Sequence, residues 1–283
     1  MSAAGAPAIA PQAVDRGVLV DTHCHLDAAE FDADRERVIG DARAAGVRWI
    51  VVPSVDAAGF DAAAAIAHAH DGCAYALGIH PMFTDRAEAG DLERLRARVA
   101  AAIEDPRLVA IGEIGLDHFV PELDRERQAW FFVEQLKIAR EFGLPVLMHV
   151  RRAQDAVLRE LRRVRPPGGI AHAFNGSEQQ AGAFLDLGCA LGFGGAFTYE
   201  RALQLRRLVT ALPAHAHVLE TDAPDIPPAW RHRQRNTPAE LARIAAEFAV
   251  LRGGTAGDAA RQTAGNAFRV LPRLAALAGE GAH

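Results

Sequence analysis

Short, β-rich apolar stretches alternate with helical segments from residue 18 onward, and this alternation constrains the fold more than any other feature. Eight such stretches are recognisable, and the repeat averages about 28 residues, close to the length of one βαβ element. This pattern is typical of a parallel sheet. The predicted strands cover residues 18–25, 49–55, 73–80, 109–117, 145–150, 169–174, 189–194 and 217–222.

Apolar residues at helical spacing lie between these strands. Phe132 and Leu136 belong to one apolar helix face of the kind that packs on a sheet. The sequence Thr237, Pro238 and Glu240 predicts a capping box with proline at the first helical position. The last predicted helix lies near residues 257–270.

Together these elements predict an α/β fold, a single-domain (β/α)8 TIM barrel with an extra C-terminal helix. The barrel is expected over residues 18–275, after a flexible N-terminal tail at residues 1–17. An open doubly wound sheet is the structural alternative, but the early Gly-rich phosphate loop of that fold is missing.

Composition indicates the cellular compartment and the classes of partner that the chain is suited to. The three cysteines are widely spaced and form no C-x-x-C pair, which argues against a disulfide framework or zinc ribbon and favours the reducing cytoplasm. No apolar run approaches the ~20 residues of a membrane helix. The net charge of −5 does not indicate a general nucleic-acid binder. No stable protein partner is inferred.

His23 and His25 are the first candidate metal ligands. They lie two residues apart at the end of the first predicted strand, so both side chains should point to one face while Cys24 points to the other. The carboxyl end of a barrel strand is where barrel enzymes place their active sites. The pair is therefore expected to form a metal clamp.

Two further H-x-H pairs have less favourable positions. His68 and His70 lie in a helical stretch, where residues two apart diverge by about 200°. His215 and His217 precede the last strand and should lie near the opposite mouth of the barrel. Both pairs are expected to be structural.

Four more residues of metal-binding types lie at or near the ends of the fourth, fifth, sixth and eighth strands: Glu113, His149, His172 and Asp222. Each alone is compatible with a core histidine or a helix-capping carboxylate, but six at one rim indicate a metal site. Imidazole and carboxylate ligands without cysteine suit Zn, Mn, Fe, Co or Ni, with Mg a less natural fit.

Seven segments carry a resemblance to a known family: VDTHCHLD, GIHP, GEIGLD, PVLMHVR, AHAFNGS, ETDAP and RNTPAEL. In this order they resemble the signatures of the TatD family of metal-dependent hydrolases, in the amidohydrolase superfamily, over about residues 18 to 270.

The resemblance implies two divalent metal ions (Zn, Mn, Mg, Ni or Fe). By analogy, the first ion is held by His23, His25, Glu113 and Asp222, and the second by Glu113, His149 and His172. In several other amidohydrolase families a carboxylated lysine bridges the ions. Lys137, the single lysine here, lies within a predicted helix, so Glu113 is the available bridge.

The chemistry of such a site suggests further roles. Asp222, bound to one ion and close to water, is the candidate general base. His80 is expected to face the substrate, or else to be a satisfied wall histidine. Asn175 is a candidate substrate-binding donor, and Ser177 is favoured as a helix cap.

Arginines offer a basic surface in two places. Of the cluster between Arg151 and Arg165, only Arg151 and Arg152 are placed near the mouth. Arg231, Arg233 and Arg235, after the eighth strand, are better placed to meet a polyanion.

The sequence therefore predicts a metal-dependent hydrolase that cleaves phosphodiester bonds, a TatD-like DNase acting on DNA or another phosphodiester. A small-molecule amidohydrolase cleaving an amide, ester or lactone remains the alternative, because the same hydroxide can attack a carbonyl carbon. A non-catalytic binding module is disfavoured by the complete ligand set and the candidate base.

Overall fold

Eight parallel strands in sequential order form the centre of the protein, in a computed structural model that describes residues 17–280. The strands alternate with helices in a nearly closed (β/α)8 barrel, which confirms the predicted fold. The strands are Leu19–Asp21 (β1), Val47–Pro53 (β2), Cys73–Leu77 (β3), Leu108–Asp117 (β4), Val146–Arg151 (β5), Gly169–His172 (β6), Cys189–Phe193 (β7) and His217–Leu219 (β8).

Helices surround the strands and also follow the last one. Within the described residues they are Arg35–Ala44 (α1), Phe60–Ala69 (α2), Ala89–Ala102 (α3), Arg125–Phe142 (α4), Gln154–Val164 (α5), Glu178–Asp186 (α6), Leu203–Ala211 (α7), Leu241–Arg252 (α8), Ala256–Val270 (α9) and Pro272–Glu280 (α10). Local sequence explains several boundaries. Asp124 accepts the backbone N–H groups of Glu126 and Arg127 at the start of α4, and Gly143 ends that helix in the left-handed conformation.

Hydrogen bonds near the carboxyl ends of β1 and β8 join the two sides of the nearly closed barrel. The backbone N–H of Thr22 donates to the carbonyl of Leu219, and the N–H of Asp222 donates to the carbonyl of His23. The buried carboxylate of Asp21 accepts both the N–H and the hydroxyl of Thr221. These bonds hold the segments after β1 and β8 side by side, and those segments carry two of the motifs.

The interior of the barrel has an apolar layer at the amino ends of the strands. Leu147, Ile170 and Val218 belong to this cluster, and α9 and α10 pack against it through residues such as Ala267 and Leu274. The predicted helix at 257–270 is thus confirmed as α9, and it belongs to a pair that covers this end. The polar side chains of the candidate site lie at the opposite end, at the carboxyl ends of the strands.

The structure corrects several boundaries. The regular strands β1 and β8 end at Asp21 and Leu219, short of the predicted 25 and 222, so His23, His25 and Asp222 lie just beyond them. Asp222 has a left-handed backbone, with a φ of 57°. Thr237 makes no side-chain capping bond, and a short 3-10 helix precedes α8, so the predicted capping box is wrong. Proline does occupy the first position of that 3-10 helix.

The predicted tail at residues 1–17 lies outside the described residues except for Gly17. Among residues 17–280, no helix is both long and apolar enough to cross a membrane.

Candidate metal centre

The candidate site lies at the carboxyl ends of the strands, above the apolar layer. His149 and His172 follow Leu147 and Ile170 by two residues on the same strands, so each pair shares one strand face. Alternation along these strands therefore places an apolar residue in the barrel core and a histidine at its mouth.

His23 and His25 converge although they lie beyond β1. The N–H of Cys24 donates to the carbonyl of Val51, and the N–H of His25 donates to that of Ala223, so the segment continues the strand pairing on both sides. Cys24 is fully buried in the outer core, as predicted. The two Nε2 atoms of the histidines are 3.3 Å apart.

Glu113 lies at the centre of the cluster, and 2 % of its side chain is exposed. Its Oε2 is 3.0 Å from Nε2 of His23 and 3.4 Å from Nε2 of His25. Its Oε1 is 3.3 Å from Nδ1 of His149 and 3.4 Å from Nε2 of His80. The two oxygens of one carboxylate thus face different pairs of histidines.

Asp222 faces the same centre from the end of β8. Its Oδ1 is 3.6 Å from Nε2 of His25, 3.8 Å from Nε2 of His23 and 3.5 Å from Nε2 of His172. The imidazole rings of His23 and His172 stack with centroids 3.8 Å apart. The structure therefore brings together all six predicted ligands.

The donor atoms form three overlapping groups, each within 4.8 Å. The groups are His23, His25 and Asp222; His23, Glu113 and His172; and His80, Glu113 and His149. Ligands ~2.1 Å from a tetrahedral ion are about 3.4 Å from one another, close to the donor separations measured here. Buried Oε1 of Glu113 has no hydrogen bond, as an atom reserved for a cation would. The residues fit a metal centre.

Burial and the neighbouring charges shift the pKa values of the side chains in the cluster. Burial raises the pKa of Asp222 to about 6 and lowers that of His23 to about 4. Burial also opposes charge on His172, but Asp222 and Glu220 raise its pKa to about 10. Burial opposes charge on Glu113, yet His80 and His23 hold its pKa well below the usual range. The carboxylates of the cluster thus favour positive charge beside them, which a bound cation would supply.

His80 differs from the other histidines in its hydrogen bonding. Its Nδ1 accepts the backbone N–H of Met82 at 3.1 Å, so in the neutral ring Nε2 carries the proton. A protonated nitrogen has no lone pair for a metal. His80 is therefore a hydrogen-bond donor at the edge of the centre, and burial, the largest influence, lowers its pKa.

Two carboxylates orient the histidines from outside the cluster. Nε2 of His149 donates to Oδ2 of Asp117 at 3.0 Å, and Nδ1 of His172 lies 3.0 Å from Oε1 of Glu220. Such carboxylate partners fix the ring and the tautomer of a ligating histidine. A Cβ at Gly192 would come 2.1 Å from Oε2 of Glu220, so glycine makes room for this carboxylate.

Sequence reasoning did not single out Glu220. The signal for Glu220 is its position two residues before Asp222, directly after β8. Asn236 was also missed. Its side-chain amide donates to the carbonyls of Thr221 and Asp225, and its backbone N–H donates to that of Pro224, so it fixes the loop that carries Asp222.

The remaining candidates are placed as follows. The side chain of Asn175 is exposed at the mouth after β6, and its carbonyl accepts the amide of Gln154. Ser177 caps α6 in a capping box with Gln180, which confirms the predicted cap. Lys137 lies on α4, pairs with Glu134 and is 53 % exposed, so it does not reach the centre.

The other two H-x-H pairs lie away from the site, as predicted. His68 pairs with Asp105 at 2.8 Å. His217 begins β8 and packs between the rings of Phe193 and Phe248.

Two of the three loop arginines are already paired. Arg231 contacts Glu240 at 3.0 Å, and Arg235 contacts Asp34 at 2.7 Å. Arg233 is exposed and has no ion-pair partner within residues 17–280.

Comparison with known proteins decides the family. The profile of the family described as TatD related DNase matches residues 20–272. The chain belongs to this TatD-related family. An uncharacterized metal-dependent hydrolase, YjjV of Escherichia coli K12, is 39 % identical over 253 residues, covering 89 % of this chain and 97 % of that protein.

Other TatD relatives agree. The 3'-5' ssDNA/RNA exonuclease TatD of Erwinia tasmaniensis is 36 % identical over 261 residues, covering 89 % of this chain and 99 % of that protein. The crystal structure of the E. coli YjjV TatD homologue superposes with a TM-score of 0.86 and 38 % identity, covering 90 % of this chain and 98 % of that one. This TatD-family chain is therefore a metal-dependent hydrolase.

Proposed function

We propose that the protein is a phosphodiesterase of the DNase type that uses two divalent metal ions. The observation that carries this proposal is the position of Glu113, whose two carboxylate oxygens face different histidine pairs. A carboxylate between two groups of nitrogen ligands is suited to bridging two cations. An anionic phosphodiester is the substrate that a site with two cations attracts.

The proposed ligands divide into two sets that share Glu113. His23, His25, Glu113 and Asp222 hold the first ion. His149 and His172 hold the second with Glu113, and each of these two histidines occurs with Glu113 in a separate donor group. Zn, Mn, Fe, Co, Ni and Mg are the candidate ions.

Bound ions would lower the pKa of a water molecule and polarise a phosphoryl oxygen of the substrate. Asp222 would accept the proton of the attacking water. Its carboxylate is 13 % exposed, whereas Glu113 is 2 % exposed, so water can reach Asp222 more readily. Oδ1 of Asp222 lies 3.5 Å from Nε2 of His172 and 3.6 Å from Nε2 of His25, which puts the proton acceptor beside the proposed ligands.

His80 would donate its Nε2 proton to a non-bridging oxygen of the scissile phosphate. The bond from Met82 fixes the ring orientation before substrate arrives, which is the geometry that favours electrostatic stabilisation of a transition state. Asn175, exposed at the same mouth, would donate its side-chain amide to the substrate backbone.

Nucleic acid as the substrate class is supported by the name of the Erwinia relative, an exonuclease on single-stranded DNA and RNA. A cytoplasmic location is proposed on the three cysteines, which are free and buried.

The test is an assay of metal-reconstituted protein on single-stranded DNA, duplex DNA and a panel of amides and lactones. Asp222→Asn should abolish nucleotide release. Asp225→Asn is the matched control, because Asp225 is an exposed carboxylate in the same loop, and it should retain activity. Turnover of amides or lactones with DNA left intact would establish the amidohydrolase alternative instead.

A further inference from the structure

A cationic and aromatic surface lies beside the metal centre at the ends of β4 and β5. Phe119, two residues after β4, is 43 % exposed. The guanidinium carbon of Arg151 lies 3.8 Å from the centroid of its ring, and that of Arg152 lies 4.6 Å from it. We call Phe119, Arg151 and Arg152 the arginine shelf.

One buried carboxylate ties the arginine shelf to the metal centre. Oδ2 of Asp117 accepts from His149, while Oδ1 accepts the backbone N–H groups of Phe119 and Val120. The same Oδ2 lies 3.7 Å from the guanidinium of Arg151. The backbone N–H of His118 also donates to the carbonyl of Arg151, which joins the two loops. The shelf therefore has a fixed position next to a proposed ligand.

The shelf combines guanidinium hydrogen-bond donors with a partly exposed aromatic ring. A guanidinium that stacks on an aromatic ring uses its face, and its N–H groups point outward in the plane. Arg152 has no carboxylate partner among residues 17–280, and Arg151 is 48 % exposed. Arg231 and Arg235, in the loop across the mouth, differ from Arg152, because they are paired with carboxylates at 3.0 and 2.7 Å, closer than the 3.7 Å between Arg151 and Asp117.

We propose that the arginine shelf binds a phosphate of the polynucleotide next to the scissile one. Planar guanidinium donors match phosphate oxygens in a bidentate manner. The scissile phosphate itself belongs at Glu113, and Asp117 and His149 separate that point from Arg151, so the shelf holds a neighbouring phosphate. This inference rests on the proposed nuclease function and adds a specificity for chains with more than one phosphate.

The experiment compares two substrates of the metal-loaded enzyme. One is a single-stranded DNA decamer, and the other is bis(4-nitrophenyl) phosphate, which has only the scissile phosphate. In Arg151→Gln/Arg152→Gln, KM for the decamer should rise about tenfold, and the ratio of kcat/KM between decamer and small substrate should fall by a similar factor. The control Arg162→Gln/Arg165→Gln removes the same charge from exposed positions towards the other end of α5 and should match the wild type.

Binding supplies a second readout that needs no turnover. Anisotropy of a labelled decamer on Asp222→Asn protein should show a salt dependence whose slope falls by about 0.7 for each phosphate contact that the arginine variant loses. Phe119→Leu should weaken binding less than the double substitution. An equal loss with Phe119→Leu and an unchanged salt slope would show base stacking and overturn the phosphate assignment.

The kinetic outcomes separate the two proposals. A substrate ratio within twofold of the wild type, or an equal loss on both substrates, overturns the arginine shelf while the nuclease proposal stands. A wild-type enzyme that neither binds nor cleaves the decamer overturns both.

Discussion

His172 and His217 are buried at opposite ends of the barrel, and their pKa values shift in opposite directions. At the carboxyl end, His172 lies among carboxylates, and although burial opposes its charge, Asp222 and Glu220 raise its pKa to about 10. At the amino end, His217 lies between Phe193 and Phe248, and burial lowers its pKa to about 4. The same residue type is a candidate ligand at one end and a neutral packing group at the other.

This difference comes from the neighbours that the fold provides. His23 and His25 belong to one H-x-H motif, and His215 and His217 to another, yet only the first pair faces Glu113. Position at the carboxyl ends of the strands, rather than the motif, determines which pair meets carboxylates.

Substitution at the centre of the carboxyl end should have the largest effect. Glu113→Gln preserves the shape of the side chain but removes the charge that both proposed ions share. We expect kcat to fall on the order of 10⁴-fold, the scale seen when one member of a cooperative catalytic group is removed. Steady-state kinetics with saturating Mn²⁺ checks this, with circular dichroism to verify folding.

Glu141→Gln is the matched control, because Glu141 is an exposed glutamate that pairs with Arg96 on the barrel surface. Activity of Glu113→Gln within tenfold of the wild type would mean that Glu113 is not shared between ions.

At the amino end, His217 should affect how the stability of the protein depends on pH. Since His217 has a folded pKa of about 4 and an ordinary unfolded value near 6.5, the unfolded state takes up its proton first as the pH falls. This histidine should therefore cost about 3 kcal/mol of stability between pH 6.5 and pH 4. Urea unfolding should show that His217→Leu lacks this loss.

His215→Leu provides the comparison, since His215 is exposed two residues away and should keep the wild-type pH profile. If His217→Leu loses as much stability on acidification as the wild type, His217 is not held neutral by burial.

An intermediate effect is expected from the carboxylates that orient ligands. Asp117→Asn keeps an oxygen for the backbone N–H groups of Phe119 and Val120 but removes the charge beside His149. Mn²⁺ affinity measured by calorimetry should fall about 10- to 100-fold, as is usual when such a partner is lost.

Asp61→Asn, on the exposed surface of α2, serves as the control for that measurement. If Asp117→Asn binds Mn²⁺ with the affinity of the wild type, Asp117 supports the loop and does not orient His149 for metal binding.

The smallest effect concerns the other side of the mouth. Arg231→Gln and Arg235→Gln should change KM for the single-stranded decamer by less than twofold, because Glu240 and Asp34 already neutralise these guanidinium groups. A tenfold rise in KM for either variant would show that these ion pairs open to bind the substrate.

Strand number, barrel topology and the six candidate ligands were predictable, because each depends on local patterns. Short apolar, β-rich stretches define the strands, and the carboxyl end of a strand defines the rim of a barrel. The strands β1 and β8 were predicted too long, since regular strand geometry ends at Asp21 and Leu219 and Asp222 adopts a left-handed backbone.

The supporting residues were less predictable. Asn236 and the shared contacts of Asp117 depend on side-chain orientation across separate segments, for which sequence spacing has no signal. Glu220 has a signal in its position two residues before Asp222, but its pairing with His172 forms only in the folded chain. Likewise, Arg231 and Arg235 resemble free cations in sequence, because their partners Glu240 and Asp34 become neighbours only in the folded chain.

Anomalous diffraction from a crystal soaked in Mn²⁺ tests the shared metal centre most directly. We predict two peaks, one in contact with His23, His25 and Asp222 and the other with His149 and His172, with one oxygen of Glu113 on each. A single peak, or two peaks that leave Glu113 uncoordinated, would contradict the bridge on which the proposed chemistry depends.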